Sequence, residues 1–465
     1  MTNTVDILRP EVAAMQARAA LPNTLMGGTF AMRLAKTTYL PQMAMETQKD
    51  YSDRLAATTL LPQFSETVDD FATKPFTEPM TFSEDTPPEI LDWLENTDLQ
   101  GQTAAQFFQG VLRQSLVDGI TFILVDHPPV PQGATKATEN AMGARPYLIH
   151  VPLANLIGWR SSTVAGKHVL TQVRILECVT EDSGDFGVAE ITQIRVIDPG
   201  MVRVYRQTGD KKDWVLVDDL SGPISLQEVP IVAVYTGRHG FMVALPPLEG
   251  LAYLNVQHWQ SSSDQRNILH TARVPFLFGK GLDVPKEGAE QAHGANMMMT
   301  ASQPDADLKY VEHGGAAIGA GRDDLKDLEE QMRQISGELV SAVAKTATEA
   351  GLDSEQSCSW LKSQVLAFEG SIAEVLRLMG SWKGITPTGT VVLFKDFEQE
   401  PIDAPTLLGL NTLQTSGNLS RKTLLRILQD AGKLPADVDI DEELQRIDDE
   451  TAAGMPPPKS VPAVP

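Results

Sequence analysis

A seam of apolar residues with helical spacing organises the middle of the chain. Between Gly321 and Leu339 the apolar positions follow one another at intervals of three and four, and most positions between them are polar or charged. The seam consists of Leu325, Leu328, Met332, Ile335 and Leu339. Its period of 3.5 residues predicts a helix with one narrow apolar stripe that packs against other helices. An ordinary surface helix of a globular domain is the alternative interpretation.

Other predicted elements precede this seam within residues 246–384. A helix from Pro247 is apolar at first and polar from Gln260 to Asn267, which suits an element that leaves a core. Two short apolar runs at 274–278 and 308–311 predict strands, so a small strand-containing insert separates this helix from the seam helix.

The part of the chain after the seam begins with a small-residue, polar loop at 341–353. A long helix is predicted from Ser354 to Met379, because Ser354 can cap its first turn and its apolar residues recur with helical spacing. One strand at 390–394 and then two or three short helices follow, with candidates at 406–415, 420–431 and 440–448. The last fifteen residues contain three consecutive prolines and are expected to be disordered.

The N-terminal half changes from helical to β character. Residues 1–80 predict helices interrupted at Pro10, Pro22 and Gly27–Gly28, and residues 103–116 predict a further helix. Short β-branched runs then predict a β-rich module without long alternating helices, at 120–125, 147–151, 169–177, 190–197, 201–205, 214–217 and 231–235. The whole order predicts an α+β fold with a mixed or antiparallel module and disfavours a Rossmann-type sheet.

Composition narrows the function classes. The net charge is −23, from 38 basic and 61 acidic residues, which argues against a protein that grips nucleic acid through its phosphates. A protein past which DNA must move without sticking stays compatible, as does acidity that only keeps the chain soluble. No run approaches the length of a membrane span, and the N-terminus lacks a secretory signal. The distant Cys178 and Cys358 predict neither a disulfide framework nor a metal site, so a reducing cytosol is expected.

Signatures of catalysis and of cofactor or metal binding are not found in the sequence. It lacks a nucleophile elbow, a P-loop, a zinc-protease motif and a Cys-x-x-Cys pair. The glycine-rich run 314–321 has no Lys-Ser or Lys-Thr and is interpreted as flexible linkage. His258 and His270 lie about 18 Å apart on one helix, too far to share a metal. Asp323, Asp324 and Asp327 are interpreted as a solvated face, so no enzyme, cofactor or metal centre is expected.

Several separated motifs are similar to segments of one family, the portal proteins of tailed bacteriophages with double-stranded DNA. The most specific run is His258-Trp-Gln-Ser-Ser-Ser-Asp-Gln-Arg-Asn-Ile-Leu-His270. The others, in chain order, are Tyr39-Leu-Pro41, Tyr51-Ser-Asp-Arg-Leu55, Asp98-Leu-Gln-Gly101, Arg145-Pro-Tyr-Leu148, Asn155-Leu-Ile-Gly-Trp-Arg160 and Pro247-Leu-Glu-Gly-Leu-Ala-Tyr-Leu-Asn255. Together they cover most of residues 39–384 and occur in the order that the family shows.

This resemblance implies a division of the chain into the parts of a portal subunit. The implied parts are a wing of helices and then a β-rich module at 1–245, a first stem helix at 246–272, a small α/β clip at 273–319, a second stem helix at 320–340, a tunnel loop at 341–353, a long wing helix at 354–384, a wing return strand at 385–404, crown helices at 405–450 and a disordered tail at 451–465.

The resemblance also implies candidate residues for these parts. They are Lys345, Thr346, Thr348 and Glu349 in the tunnel loop, the five seam residues in the second stem helix, Trp259, Asp264 and His270 in the first, and Lys280, Lys286, Glu290 and Lys309 in the clip. A narrow seam suits a stem helix packed between neighbours in a ring. Lys345 is interpreted either as a weak phosphate contact or as a solvent-exposed loop lysine.

The implied function is a non-enzymatic DNA channel at one capsid vertex, assembled in the bacterial cytoplasm and retained in the virion. The expected assembly is a ring, with twelve subunits anticipated. Its implied partners are the terminase large subunit, the major capsid and scaffolding proteins, neck, adaptor or tail proteins, and double-stranded DNA that passes non-specifically, with no membrane. The alternatives are another head–neck structural protein such as an adaptor, or a cytosolic enzyme with an unrecognised site.

Overall fold

The computed structural model of the chain contains two compact units, Met1–Lys395 and Asp396–Pro465, each described by itself. The structure describes residues 5–128, 141–208, 213–272, 276–280, 305, 307–311, 316–340, 360–386, 388–395, 397, 404–430, 434 and 438–452.

Nine helices of the first unit lie in its described residues. They are α1 (Pro10–Met26), α2 (Gly28–Ala35), α3 (Gln48–Ala57), α4 (Gln63–Thr73), α5 (Pro88–Leu94), α6 (Ala104–Asp118), α7 (Glu249–Ala272), α8 (Ala316–Val340) and α9 (Trp360–Lys383). Short 3-10 helices occupy Lys36–Thr38, Lys74–Phe76, Leu153–Asn155 and Asp218–Leu220. Local signals explain some ends: a capping box of Thr103 and Gln106 starts α6, and Gly119 ends it with a left-handed φ of 81°.

The strands of the first unit pair only in antiparallel fashion among the described residues. They are β1 (Thr81–Phe82), β2 (Ile120–Asp126), β3 (Tyr147–Val151), β4 (Leu156–Val164), β5 (Lys167–Ser183), β6 (Gly187–Asp198), β7 (Met201–Thr208), β8 (Asp213–Leu216), β9 (Gly222–Pro223), β10 (Ile231–Tyr235), β11 (Arg238–Gly240), β12 (Val243–Ala244), β13 (Phe276–Lys280), β14 (Asp307–Val311) and β15 (Val391–Val392). Helices and antiparallel sheets thus both occur, which confirms the predicted mixture of α and β structure.

Two sheets make up most of the β-rich part. One has the order β10-β2-β3, and the other has β4 to β8 in sequence, with β9 paired to β7. The expected strands at 147–151 and 231–235 coincide with β3 and β10. Strand β4 was not predicted, because Gly158 and two serines make it a poor strand former. Gly158 leaves room for the end of the Arg174 side chain, since a Cβ would lie 2.7 Å from Arg174 Nη2.

The N-terminal helix α1 contributes to the core shared by these sheets. Val12, Met15 and Ala19 are buried against strand residues such as Phe122 and Trp159. Gln16 Nε2 donates to the carbonyl oxygen of Leu153 at 2.9 Å, which ties the helix to the short 3-10 turn before β4. The first helix is therefore part of the β-rich module and not a separate appendage.

The expectation that Pro22 interrupts the first helix is wrong. Pro22 lies inside α1, where it and the neighbouring Leu21 and Leu25 are buried. Proline removes one backbone hydrogen bond from a helix, yet burial of an apolar face outweighs that local cost. The expected breaks at Pro10 and Gly27–Gly28 are confirmed, since α1 begins at Pro10 and α2 follows at Gly28.

The long helix α9 packs on the three-stranded sheet. Its predicted apolar face is confirmed: Leu361, Val365, Phe368, Ile372, Val375, Leu376 and Met379 are buried, and Trp360 is half-buried. Trp382 Nε1 donates to the carbonyl oxygen of Val125 in β2 at 3.1 Å. The strand predicted at 390–394 is observed as the shorter β15, which pairs with β1.

The second unit contains three described helices, close to those predicted. They are α10 (Ala404–Thr415), α11 (Arg421–Asp430) and α12 (Ile440–Ala452). Ser420 Oγ accepts from the backbone N–H of Thr423, as expected of a cap of α11. Thr451 and Ala452 belong to α12, so the predicted disordered tail does not begin at 451, and residues 453–465 lie outside the described part.

Candidate functional site

Helices α7 and α8 form an antiparallel pair. Three contacts join them, and along these contacts the residue number rises on α7 while it falls on α8. They are His258 Nε2 to Glu329 Oε1 at 3.6 Å, Ser261 Oγ to Asp324 Oδ2 at 2.7 Å, and Gln265 Nε2 to the carbonyl oxygen of Ile318 at 2.9 Å. The insert with β13 and β14 connects the two helices.

The apolar seam is covered within the chain. Leu328 and Met332 are 3% and 0% exposed, Leu325 and Ile335 are half-buried, and the side chain of Leu339 lies outside the description. The expected helix is confirmed, and it is longer than its pattern indicated because it starts at Ala316. The middle of the seam is therefore buried within the chain, and the expected packing between ring neighbours stays a prediction.

The glycine-rich run before the seam is partly helical, contrary to the interpretation as flexible linkage. Gly319 and Gly321 lie in α8. A Cβ on Gly321 would lie 2.2 Å from Gln265 Oε1, so the glycine lets the two helices approach closely at this point. The buried Gln265 amide bonds the α8 backbone there. Gly321 is therefore explained by packing and not by flexibility.

The polar end of α7 leaves the core on one face only, where Asp264, Arg266, Asn267 and His270 are exposed. Ser263 and Gln265 are 1% and 8% exposed, because α8 covers one side of the helix and α3 another. Buried polar groups are tolerated when each finds a hydrogen-bond partner. The pattern of polar residues predicted exposure, but on the buried face it marks polar packing between helices.

Arg54 on α3 is the centre of this polar packing. Its side chain is 4% exposed and forms a two-pronged ion pair with Glu46, at 2.6 Å from Nε to Oε1 and 2.8 Å from Nη2 to Oε2. Arg54 also donates to the carbonyl oxygen of Pro41 at 2.8 Å and to Ser263 Oγ of α7 at 3.2 Å. The hydrogen bond to Arg54 lowers the pKa of Glu46, so the buried pair is charged at neutral pH.

Further hydrogen bonds fasten α7 to the segments around α3 and α4. Asn255 accepts from the backbone N–H of Phe64 and donates to the carbonyl oxygen of Leu61, both at 3.0 Å. Gln260 Nε2 donates to the carbonyl oxygen of Tyr39 at 2.9 Å, and Arg266 donates to that of Ala57 at 2.9 Å. Four of the motif segments quoted above, 39–41, 51–55, 247–255 and 258–270, are thus in contact or adjacent.

The buried aromatic residues of α7 and α3 lie within the same region. Trp259 is fully buried, and its indole N–H has no hydrogen-bond partner among the described residues. Burial lowers the pKa of His258 despite the opposing effect of Glu329, which keeps this imidazole neutral at pH 7. Because Trp259 is fully buried, it acts in packing. This gives a physical role to one of the three residues proposed for the first stem helix.

A cleft of about 1020 Å³ opens beside the Arg54–Glu46 pair, between α3 and the end of α7. Glu46, Asp50 and Asp53 line one side, and the exposed His270 lines the other. Asp264 is half-exposed with its carboxylate 3.7 Å from Arg54 Nη1, and burial raises its pKa. Asp264 and His270 are therefore not brought into one site with Trp259.

The remaining candidate residues are only partly described. Lys280 is exposed at the end of β13, and Lys309 lies in β14 opposite Phe278. Lys286 and Glu290 of the insert, and Lys345, Thr346, Thr348 and Glu349 of the loop, lie outside the described residues. In the described part of the chain, no three His, Cys, Asp or Glu side chains form a metal-binding group. No described helix has the length and apolarity needed to cross a membrane.

The comparisons with known proteins match the central helices and, more loosely, most of the chain. A domain of unknown function (DUF4055) matches residues 247–383, which span α7, the insert, α8 and α9. No curated protein matches.

Among solved structures, the chain is similar to one in the "Virion of native gene transfer agent (GTA) particle", with 15% identity over 87% of this chain and 98% of that one and a TM-score of 0.37. It is also similar to a chain of the "Neck of native GTA particle computed with C12 symmetry", with 14% identity over 79% of this chain and 89% of that one and a TM-score of 0.38. A chain of the "Neck of empty GTA particle computed with C6 symmetry" is similar with 13% identity over 80% of this chain and 90% of that one and a TM-score of 0.37. These scores are too low to carry an argument about fold or function.

Replacement of Arg54 by methionine is expected to destabilise the fold strongly. Arg54→Met leaves the buried Glu46 carboxylate without its counter-charge, which should lower the free energy of unfolding by about 3 kcal/mol in urea titrations. Lys49→Met removes the exposed pair with Asp53 on the same helix and is the matched control, expected to leave the urea midpoint unchanged. The double variant Arg54→Met/Glu46→Met should recover much of the loss. Equal urea midpoints for Arg54→Met and Lys49→Met would contradict the stabilising role of the Arg54–Glu46 pair.

The same ion pair predicts a dependence of stability on pH. Because the folded-state pKa of Glu46 lies below its ordinary value of 4.5, the ionised carboxylate stabilises the fold above the unfolded-state pKa. That contribution is lost as the pH falls through the folded-state pKa. The difference in unfolding free energy between the wild-type chain and Glu46→Gln should be largest above about pH 5 and should shrink at lower pH. A difference that stays constant between pH 7 and pH 3 would contradict this assignment.

Proposed function

We propose that the chain is the subunit of a portal ring, through which double-stranded DNA enters and leaves a phage-like capsid. Helix α7 and residues 320–340 of α8 form the stem, and residues 273–319 form the clip. Residues 341–353 form the tunnel loop, 1–245 with 354–404 the wing, and 405–450 the crown. The ring has twelve subunits and lies at one capsid vertex. Its role is structural, and the chain itself neither hydrolyses ATP nor cuts DNA.

The convergence of the motif segments on α7 is the observation that carries this proposal. Tyr39 and Arg54 lie more than 200 residues before their partners Gln260 and Ser263, yet these contacts join the N-terminal segments to one helix of the central pair. Residues that resemble one family therefore cooperate in one structural task. That task is to fix a helical hairpin to a larger body, as a stem must be fixed to its wing.

The dimensions and surface of the hairpin support the same function. Helices of 24 and 25 residues extend about 36 Å each, which is long enough for the wall of a short channel. The exposed positions of α8 from Arg322 to Gln334 carry mixed charges with one more acidic than basic residue, including Asp323, Asp327 and Glu330. Such a surface does not bind phosphates in series, so DNA can move past it without strong steps.

The partners follow from the assigned parts. The clip, with Lys280, Lys286, Glu290 and Lys309, would bind the terminase large subunit during packaging and neck, adaptor or tail proteins afterwards. The wing and crown would contact the major capsid and scaffolding proteins. The tunnel loop, with Lys345, Thr346, Thr348 and Glu349, would face the passing DNA. Such a protein would assemble in the bacterial cytoplasm and stay in the virion.

A neck adaptor is the nearest alternative, and a cytosolic enzyme is the more distant one. An adaptor joins the head only after DNA is inside and does not need a long helix–insert–helix–loop–helix series. An enzyme would be a discrete monomer or dimer that binds a small ligand. Deletion of the chain from a producing cell separates the portal from the adaptor. Heads without a portal stay empty, whereas heads without an adaptor fill and then leak.

The particle mass and top view of the purified chain test the proposal. Mass photometry should give a species of about twelve subunit masses, and negative-stain images should show rings with a central hole. A stable monomer or dimer that does not form rings when capsid and scaffolding proteins are added would contradict the proposal.

A charge placed in the seam should disrupt the hairpin and with it the ring. Leu328→Asp or Met332→Asp buries a carboxylate without a partner, at a cost of about 3 kcal/mol or more in unfolding free energy. Ring formation should fall, and hydrogen exchange should rise in both α7 and α8. Gln331→Asp changes an exposed neighbour and is the control. Rings of unchanged yield and stability from both seam variants would show that the stem assignment is wrong.

A further inference from the structure

Charge is segregated along the longest strand and its neighbours. Residues 156–174 contain the basic residues Arg160, Lys167 and Arg174 and no acidic residue. The next nineteen residues, 175–193, contain no lysine or arginine and five acidic residues: Glu177, Glu181, Asp182, Asp185 and Glu190. Because β5 runs through both stretches, the charge along this strand changes from basic near the β4–β5 turn to acidic near the β5–β6 turn.

The acidic end is a two-stranded ribbon, which we call the β5–β6 arm (residues 176–192). Strand β4 pairs with β5 only as far as Ile175, and β7 pairs with β6 only from Gln193 onward. Beyond these points the described strands β5 and β6 pair only with each other, up to Ser183 and Gly187. At about 3.3 Å per residue the arm extends about 25 Å beyond the sheet.

The base of the arm is held in place by charged side chains. The Arg195 guanidinium lies 3.0 Å from Glu177 and 2.5 Å from Asp126, and Gln193 donates to Glu177 at 2.8 Å. Burial disfavours the charge of Arg195, but the two carboxylates hold its pKa above the usual value. Farther out, Arg206 lies 2.7 Å from Glu181. The arm therefore projects in a defined direction, although a free ribbon is only marginally stable in water.

The tip of the arm exposes groups that a free surface does not favour. Phe186 is 99% exposed and Val188 is 67% exposed, and both lie beside the exposed carboxylates Asp182 and Asp185. Aromatic residues are enriched at protein interfaces, and this one stands free at the end of a projecting ribbon.

The opposite end of the sheet complements this tip. We call it the basic turn, the fully exposed β4–β5 hairpin end at residues 160–168. It presents Arg160, Lys167 and His168, together with Val164, which is 57% exposed. Positive charge around an apolar side chain at one end thus matches negative charge around an apolar side chain at the other.

We propose that the β5–β6 arm of one subunit docks on the basic turn of the next copy of the same chain. Two different surfaces of one chain that bind each other form a head-to-tail contact, and such contacts close into rings when the rotation allows. This inference rests on the proposed function, because it assigns the contact that joins wings around the portal ring. Since both ends lie on one rigid sheet, the contact also sets the orientation of each subunit toward the next.

Charge reversal and its compensation test the docking. Asp182→Lys/Asp185→Lys should raise the protein concentration needed for half-maximal ring assembly at least about tenfold, because like charges then face each other. Arg160→Glu/Lys167→Glu should have a similar effect. The chain that carries all four changes should assemble again but should not mix with wild-type subunits in one ring. Asp92→Lys/Glu95→Lys, with Asp92 in α5 and Glu95 directly after it, is the charge-matched control, and thermal unfolding shows whether each variant is folded.

A cross-link gives a second readout that does not depend on affinity. In a Cys178→Ser/Cys358→Ser background, Ser183→Cys/Ser162→Cys places one thiol at the arm tip and one in the basic turn. A short bismaleimide should join neighbouring copies in assembled rings, and neither single cysteine variant should give this product.

The outcomes separate the docking from the function. Rings that form normally with reversed charges and give no cross-link would overturn the docking while the portal assignment stands. The docking would also be overturned if the charge-reversed variants fold but the chain with all four substitutions does not assemble. The arm would then meet a different protein. If the wild-type chain never forms rings, the portal proposal fails. In that case the docking is supported only if the wild-type chain at high concentration forms salt-sensitive oligomers, and if charge reversal on the arm or on the basic turn abolishes them.

Discussion

The central helices depend on the interactions of one buried guanidinium, that of Arg54. Arg54 cannot remain charged in the interior unless carboxylate and carbonyl oxygens surround it, and Glu46 and Pro41 supply these. Its Nη1 atom donates to Ser263, so Arg54 also fixes the polar half of α7. Asn255, Gln260 and Arg266 repeat this pattern along the helix by bonding backbone atoms of the preceding segments.

This polar attachment explains how one helix serves two partners. Toward α3 and α4 it offers hydrogen bonds, and toward α8 it offers close packing, where Gly321 makes room for Gln265. The seam residues Leu328 and Met332 are then buried within the same chain. The centre of the hairpin is therefore packed within one chain. Other surfaces are expected to add contacts between subunits, and the projecting β5–β6 arm is the one whose charge distribution indicates a partner.

Periodicity predicted the elements better than it predicted their surroundings. The helix with the seam, the apolar face of α9 and the strands β3 and β10 follow directly from spacing, because apolar burial dominates there. The burial of Ser263 could not be predicted, since its partner Arg54 is 209 residues away. Strand β4 was missed because Gly158 serves a tertiary contact, not strand propensity. One signal was available: Asn255, Trp259 and Ser263 recur every four residues, which places polar groups on the same face as a buried tryptophan.

The position of the α7–α8 hairpin in an assembled particle tests the central claim most directly. A cryo-EM map of the purified ring should show α7 and α8 of every subunit around the central hole, with α3 and the Arg54–Glu46 pair joining them to the outer body. A ring in which the hairpin faces outward, or in which α7 is separated from α3, would contradict the account. The same map would show whether each β5–β6 arm reaches the basic turn of its neighbour.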